Sequence, residues 1–195
     1  ASVLPAPLLT DGSRDVFDAV VHRRPSATVA ILCIHNFDHW STSLLESTVV
    51  AVLHAITTAY DTVLAGHPEV ERAMTFGDSY VVCAGLLAPA ADHAFQVLDF
   101  TQGQHCAAAG LSERMVEGKF AVKSAVVTGP LVGAAIGGVA RRYVVAGPAF
   151  DAARDAVTAC RSGQVRVSDA APNGAAPDED EGSSAGDVIA SAETR

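Results

Sequence analysis

Residues 70–85 read VERAMTFGDSYVVCAG. Two β-rich runs flank Gly77-Asp78, a two-residue step that favours a tight antiparallel hairpin. Upstream, from Leu45, the apolar residues Val49, Val52, Ile56, Tyr60 and Val63 recur at steps of three and four. That spacing predicts a helix of about five turns, which Gly66 and Pro68 close. Further upstream, TVAILCI (28–34) is apolar on both faces, as a buried central strand is. Downstream, Pro89 to Ala109 predicts a second helix with Phe95 and Leu98 inward and Gly103 weakening its later part.

Phe120 to Thr128 predicts a strand that stops at Gly129-Pro130. The apolar stretch Ala121 to Ala140 is interrupted by Lys123, Gly129 and Pro130, so two short strands around a turn are expected rather than a membrane span. Arg142 to Val145 predicts a strand, Phe150 to Cys160 a helix and Gln164 to Ser168 a last short strand. The order β-α-β-β-α-β, followed by β, α and β, implies an α+β fold: a ferredoxin-like split βαβ core with helices on one face of a mixed sheet. The expected organisation is a lead-in over 1–25, a domain over 26–170 and an acidic tail over 171–195. The lead-in holds three prolines around a short amphipathic piece (Val16, Phe17, Val20, Val21). The tail turns to Ala, Gly, Pro, Ser and acid, which is linker chemistry, with a docking segment as the alternative.

The net charge of −9 is uneven: from Ala171 onward six acids stand against Arg195 alone. Neither part offers the basic stripe that nucleic acid or an anionic membrane surface requires. The cysteines, Cys33, Cys83, Cys106 and Cys160, form no CxxC pair. A reducing, cytoplasmic-side setting is therefore expected over a disulfide framework. No signal-type start is present. The sequence opens without an initiator Met, as a segment excised from a longer parent, such as a membrane protein, would.

Four segments, in order, carry a resemblance. VAILCIHNFD (29–38) is similar to a first strand and the metal loop after it; TFGDSYVVCAGL (75–86) to a hairpin of the form T-I-G-D-S-Y-M-V-x-x-G-L. VVTGPLVGAAIGG (126–138) is similar to H-T-G-P-V-x-A-G-x-x-G, and residues 141–168 to R-Y-x-x-x-G-x-x-V-N-x-A-S-R followed by P-G-x-I-x-V-S. Together they resemble the catalytic domain of the class III adenylate and guanylate cyclases.

The resemblance implies attack of a ribose 3′-oxygen on the α-phosphate, assisted by two divalent ions that two aspartates bridge. It also implies a site shared between two such domains. Carried over by position, the hairpin aspartate is kept as Asp78, whereas its partner is His35, and imidazole is a poor ligand for Mg²⁺. The glycine of the phosphate loop is Asp38. The two base-reading positions are Met74 and Val144, the ribose-binding Asn position is Asp151 and the transition-state Arg position is Asp155. Lys123 stands on the phosphate side, where the family often has Arg.

The leading expectation is a catalytically degenerate interaction or regulatory module without a cofactor, partnered as a homodimer, a heterodimer with another cyclase-type domain, or part of a larger assembly. The alternative is one half of a heterodimeric cyclase using Mg²⁺ or Mn²⁺ to form cAMP or cGMP, and a nucleotide sensor without turnover lies between them. Simpler readings stand beside each residue. Asp78 caps its hairpin turn; His35 and His39, near Cys33 and Asp38, are solvated loop histidines rather than a zinc pair; Asp151 and Asp155 form a solvated helix face with Arg154 or Arg141.

Overall fold

The computed structural model describes residues 21–115, 118–137 and 142–170, and the backbone of 188–191. The chain runs β1 (Val21–Ile34), α1 (Phe37–Thr42), α2 (Glu46–Leu64), β2 (Glu71–Phe76), β3 (Ser79–Ala84), α3 (His93–Glu113), β4 (Val122–Ile136), β5 (Arg142–Ala146), α4 (Pro148–Ala159), β6 (Gln164–Asp169) and β7 (Val188–Ser191). Seven strands form one sheet in the order β2-β3-β1-β4-β6-β7, with β5 paired to β4. All pairings are antiparallel except β4–β6. This is the expected α+β architecture.

β1 is central, and its buried run explains the doubly apolar TVAILCI. Val29 is bracketed by Cys83 and Val127, and Leu32 by Tyr80 and Ser124. Alternate residues feed opposite cores. Ala30, Leu32 and Ile34 pack with Val52, Ile56 and Tyr60 of α2 and Val97 and Phe100 of α3. Val29 and Ile31 pack instead with Tyr143 of β5 and Ala149, Ala153 and Val157 of α4. Helices therefore cover both faces, not one: α4 lies opposite α2 and α3. By length and composition α2 is apolar enough to cross a membrane, yet Val52, Ile56 and Tyr60 bury its inner stripe in this core.

Three further sequence expectations are corrected. β1 begins at Val21, inside the expected lead-in; residues 1–20 lie outside the described set. β4 is one strand of 15 residues running through Gly129-Pro130. The reason is local. Arg24 faces Leu131 and Ala27 faces Gly129, so Pro25 and Ser26 oppose Pro130 alone in a bulge. On the other edge of β4 the partner changes from β6, which pairs as far as Thr128, to β5, which starts at Val132. Two prolines that lack an amide hydrogen thus sit where no ladder bond is due. α3 starts at His93, and its inward stripe is Val97, Phe100, Thr101, Gln104 and Ala108. Phe95 falls off that stripe and is 66% exposed. Gly103 lets the helices approach, since a Cβ there would lie 3.0 Å from Cγ1 of Val63.

The tail is not all linker: Val188–Ser191 pairs antiparallel with β6. The rest of 171–195 lies outside the described residues.

Candidate functional site

Of the resemblance-derived positions, His35, Asp38, Asp78 and Lys123 gather at the end of the sheet where β1 finishes, the β2–β3 hairpin turns and β4 begins, whereas Val144 on β5 pairs with Ala134 near the far end of β4. Gly77 takes φ +56°, with open space around its Cα, so the turn needs the freedom glycine supplies. The β1–β3 ladder ends at Leu32–Tyr80. Beyond it Oδ2 of Asp78 accepts a hydrogen bond from the Ile34 amide at 2.8 Å. Asp78 thus latches the hairpin turn to the end of β1 rather than merely capping its own turn. Burial pushes its carboxyl pKa up; hydrogen bonds from the backbone amides of Ile34 and Asp78 itself oppose this, Asp38 adds to the rise and Lys123 counters it.

His35 follows at once. Its amide donates to the Ala121 carbonyl at 2.8 Å, tying β1 to the entry of β4. Its Nδ1 is buried without a hydrogen-bond partner. Asn36 takes a left-handed conformation (φ 53°) and breaks the chain into the six-residue α1. His39 is exposed on α1, one element beyond His35. The two histidines therefore do not share a helix, and the expectation of a loop position for His39 is corrected. Asp38 lies exposed in the first turn of α1. Trp40 anchors that helix through Nε1–H to the Gly118 carbonyl at 2.9 Å.

Lys123 is opposite Cys33 in the β1–β4 ladder. Its Nζ donates to the Thr158 carbonyl at 3.3 Å. A cation at a helix C-terminus is favourable, and the bond turns Lys123 toward α4. Cys33, which the sequence offered only beside the zinc reading, sits at this site next to Lys123. Burial pushes its thiol up to about 11, with the Asp78 charge adding and Lys123 opposing. Its place among Asp78, Lys123 and Cys160 follows from ladder register, which local sequence does not carry.

Met74 lies opposite Val81 just past a bulge in β2 and packs against the α4-side core. Val144 alternates with the buried Tyr143 and Val145, so it emerges from the other face of β5, half-buried. Phe76, at the hairpin, is 48% exposed. On α4, Asp151 pairs with Arg154 at 3.2 Å, both exposed, as expected of a solvated face; Asp155 is exposed. Arg141 lies outside the described residues.

Mg²⁺ and Mn²⁺ take several oxygen ligands. Here one carboxylate, Asp78, has an oxygen engaged by Ile34, and the neighbouring position is an imidazole. Among the described residues no three His, Cys, Asp or Glu side chains are grouped to hold a metal ion. The side chains present do not fit a pair of bridged divalent ions.

Known proteins agree with this architecture. The guanylyl cyclase Cya2 superposes with a TM-score of 0.69 at 21% identity, covering 75% of each chain. The guanylate cyclase domain of RhGC from Catenaria anguillulae, solved with GTP, gives 0.66 at 19% identity, covering 75% of this chain and 79% of that one. An adenylate cyclase of Mycobacterium tuberculosis is 25% identical over 169 residues, 87% of this chain but 38% of the relative. The human soluble guanylate cyclase subunit beta-2 is 24% identical over 128 residues, 66% of this chain and 21% of its own. The chain thus spans well under half the length of these last two relatives. The family model for the adenylate and guanylate cyclase catalytic domain matches residues 20–183, and with a match over most of its length the chain belongs to that family.

Proposed function

We propose that this domain works by associating with a second cyclase-type domain, in the first instance another copy of itself, and not by cyclising a nucleotide. The observation that carries the reading is Asp78. Its carboxylate is engaged by the Ile34 amide, and the position beside it is His35. The charges nearby also oppose a triphosphate: Asp38 and Asp78 face Lys123, which is turned to the α4 C-terminus. Phe76 at the hairpin is exposed and Val144 on β5 is half-buried, two apolar positions that a partner would cover. Dimeric and subunit forms occur among its relatives: one similar structure is a non-canonical dimeric guanylyl cyclase domain, and the human relative is a soluble cyclase subunit. With four free thiols, a reducing cytoplasmic-side setting suits it.

A second reading, one half of a heterodimeric cyclase, draws on Asp78 alone. Assay of the purified chain with ATP or GTP and Mg²⁺ or Mn²⁺ separates the two. The proposal expects no cyclic nucleotide. Turnover that Asp78→Ala abolishes would overturn it.

A further inference from the structure

Away from that site, a cavity of about 260 Å³ lies between the C-terminal half of α3, the entry to β4 and the turn before β6. Its walls include Ala109, Phe120, Ala121 and Val122, with Cys106 and His105 on the helix side. His105 is 8% exposed, and burial pushes its pKa down, so the ring is neutral. Nε2 is within 2.7 Å of the Ser124 hydroxyl, and the ring's other nitrogen has no hydrogen-bond partner among the described residues. A neutral imidazole offers one donor and one acceptor, so one polar contact of His105 is left unused in a largely apolar cleft whose rim, Cys106, Ala109, Ala121 and Gly163, is exposed. Among the described residues no Asp, Glu, Lys or Arg lines it, which disfavours a charged occupant.

The walls are also wired to the site described above. The Ala121 carbonyl holds the His35 amide. Phe120 packs edge-on against Trp40 of α1, ring centroids 6.2 Å apart. A molecule pressing on Phe120 and Ala121 therefore touches both anchors of the His35–Asp38 loop.

We propose that this cavity binds a small neutral aromatic molecule bearing one hydrogen-bonding group, of the size of a phenol, and that occupancy is transmitted through Phe120 and Ala121 to His35. The inference stands apart from the functional reading, since it concerns a different cavity and holds whether or not the domain turns over nucleotide. The selectivity is physical: the apolar walls favour the ring, and His105 discriminates a hydroxyl-bearing ligand from its bare hydrocarbon analogue.

Trp40 is the only tryptophan in the sequence, so its emission reports on the adjoining wall. The test titrates the whole chain with 4-fluorophenol, following Trp40 emission and the ligand's fluorine NMR line, with fluorobenzene as the hydroxyl-free control. The expected result is saturable binding of 4-fluorophenol, several-fold tighter than fluorobenzene, with a shift of the His35 amide resonance at saturation. Ala109→Leu, a good helix former placed on the cavity wall, is expected to weaken binding at least tenfold. Should that variant melt early, Cys106→Leu on the same wall takes its place with the same expectation. Absence of saturable binding by the wild type, equal binding by a folded wall variant, or an unmoved His35 amide at saturation would overturn the proposal.

Discussion

Replacing Asp78 separates a structural latch from a strained catalytic carboxylate by the sign of the stability change. In the folded chain Oδ2 accepts the Ile34 amide at 2.8 Å, just where the β1–β3 ladder runs out. Asp78→Ala leaves that amide without its partner. A hydrogen bond to a charged group is worth about 1.5–3 kcal/mol. Against this, burial raises the carboxyl pKa, so the ionised side chain already costs some stability at neutral pH. A net loss of about 1–2 kcal/mol remains for the alanine variant. At ~2–4 °C per kcal/mol for a chain of this length, its midpoint falls by roughly 2–8 °C. Asp78→Asn keeps a carbonyl acceptor and removes the partly desolvated charge, so it is expected to stay within about 0.5 kcal/mol of wild type or to gain slightly. Thermal melts and urea titrations at neutral pH read both. A catalytic residue held against its own stability would give another pattern, with alanine and asparagine both stabilising the fold. A rise in midpoint for Asp78→Ala would refute the latch.

Glu71 lies in β2 with one carboxylate oxygen buried and unpartnered, and burial, with Glu69 adding, holds its pKa up at about 7. A folded-state pKa above the unfolded one means stability that is full below about pH 4.5 and is lost as pH rises through 7. The loss, discounted for the group's partial exposure, is about 1–2 kcal/mol; Glu71→Gln is expected to flatten that slope in melts from pH 5 to 8. Millimolar Mg²⁺-ATP is expected to leave the melting midpoint unchanged, whereas a ligand at a hundredfold its Kd would add about 2.7 kcal/mol and raise the midpoint by roughly 5 °C or more.

Much of this was legible in local sequence because local forces set it. The Gly77-Asp78 step fixed the hairpin, the three-and-four spacing fixed α2, and the two-sided apolar run of residues 28–34 placed β1 at the centre. What was not legible depended on partners distant in the chain. Pro25 and Pro130 each look like strand breakers; only their meeting across one bulge lets β1 and β4 run on. An amphipathic α4 does not state which sheet face it covers, since that follows from the β4–β6 crossover. At the site, the positions of Asp78 and His35 were readable, but their bonds were not. The Ile34 amide lies 44 residues from Asp78, and the Thr158 carbonyl that draws Lys123 lies 35 residues on. Met74 and Val144 read alike as lost base-reading positions, yet one packs inward and the other points away, because a bulge and a strand's alternation decide it.

The central claim, association through the face around the former catalytic positions, is tested most directly by sedimentation of wild type against a Phe76→Asp, Val144→Asp double variant. Both sites retain some exposure in the single chain, whereas Met74 is left alone because it packs into the core. Two carboxylates forced unpaired into an interface cost several kcal/mol, enough to weaken association by at least a hundredfold. The account predicts reversible, concentration-dependent self-association of the wild type and a variant that stays monomeric while melting normally. A wild type that remains monomeric throughout, or a variant that associates equally well, would contradict it.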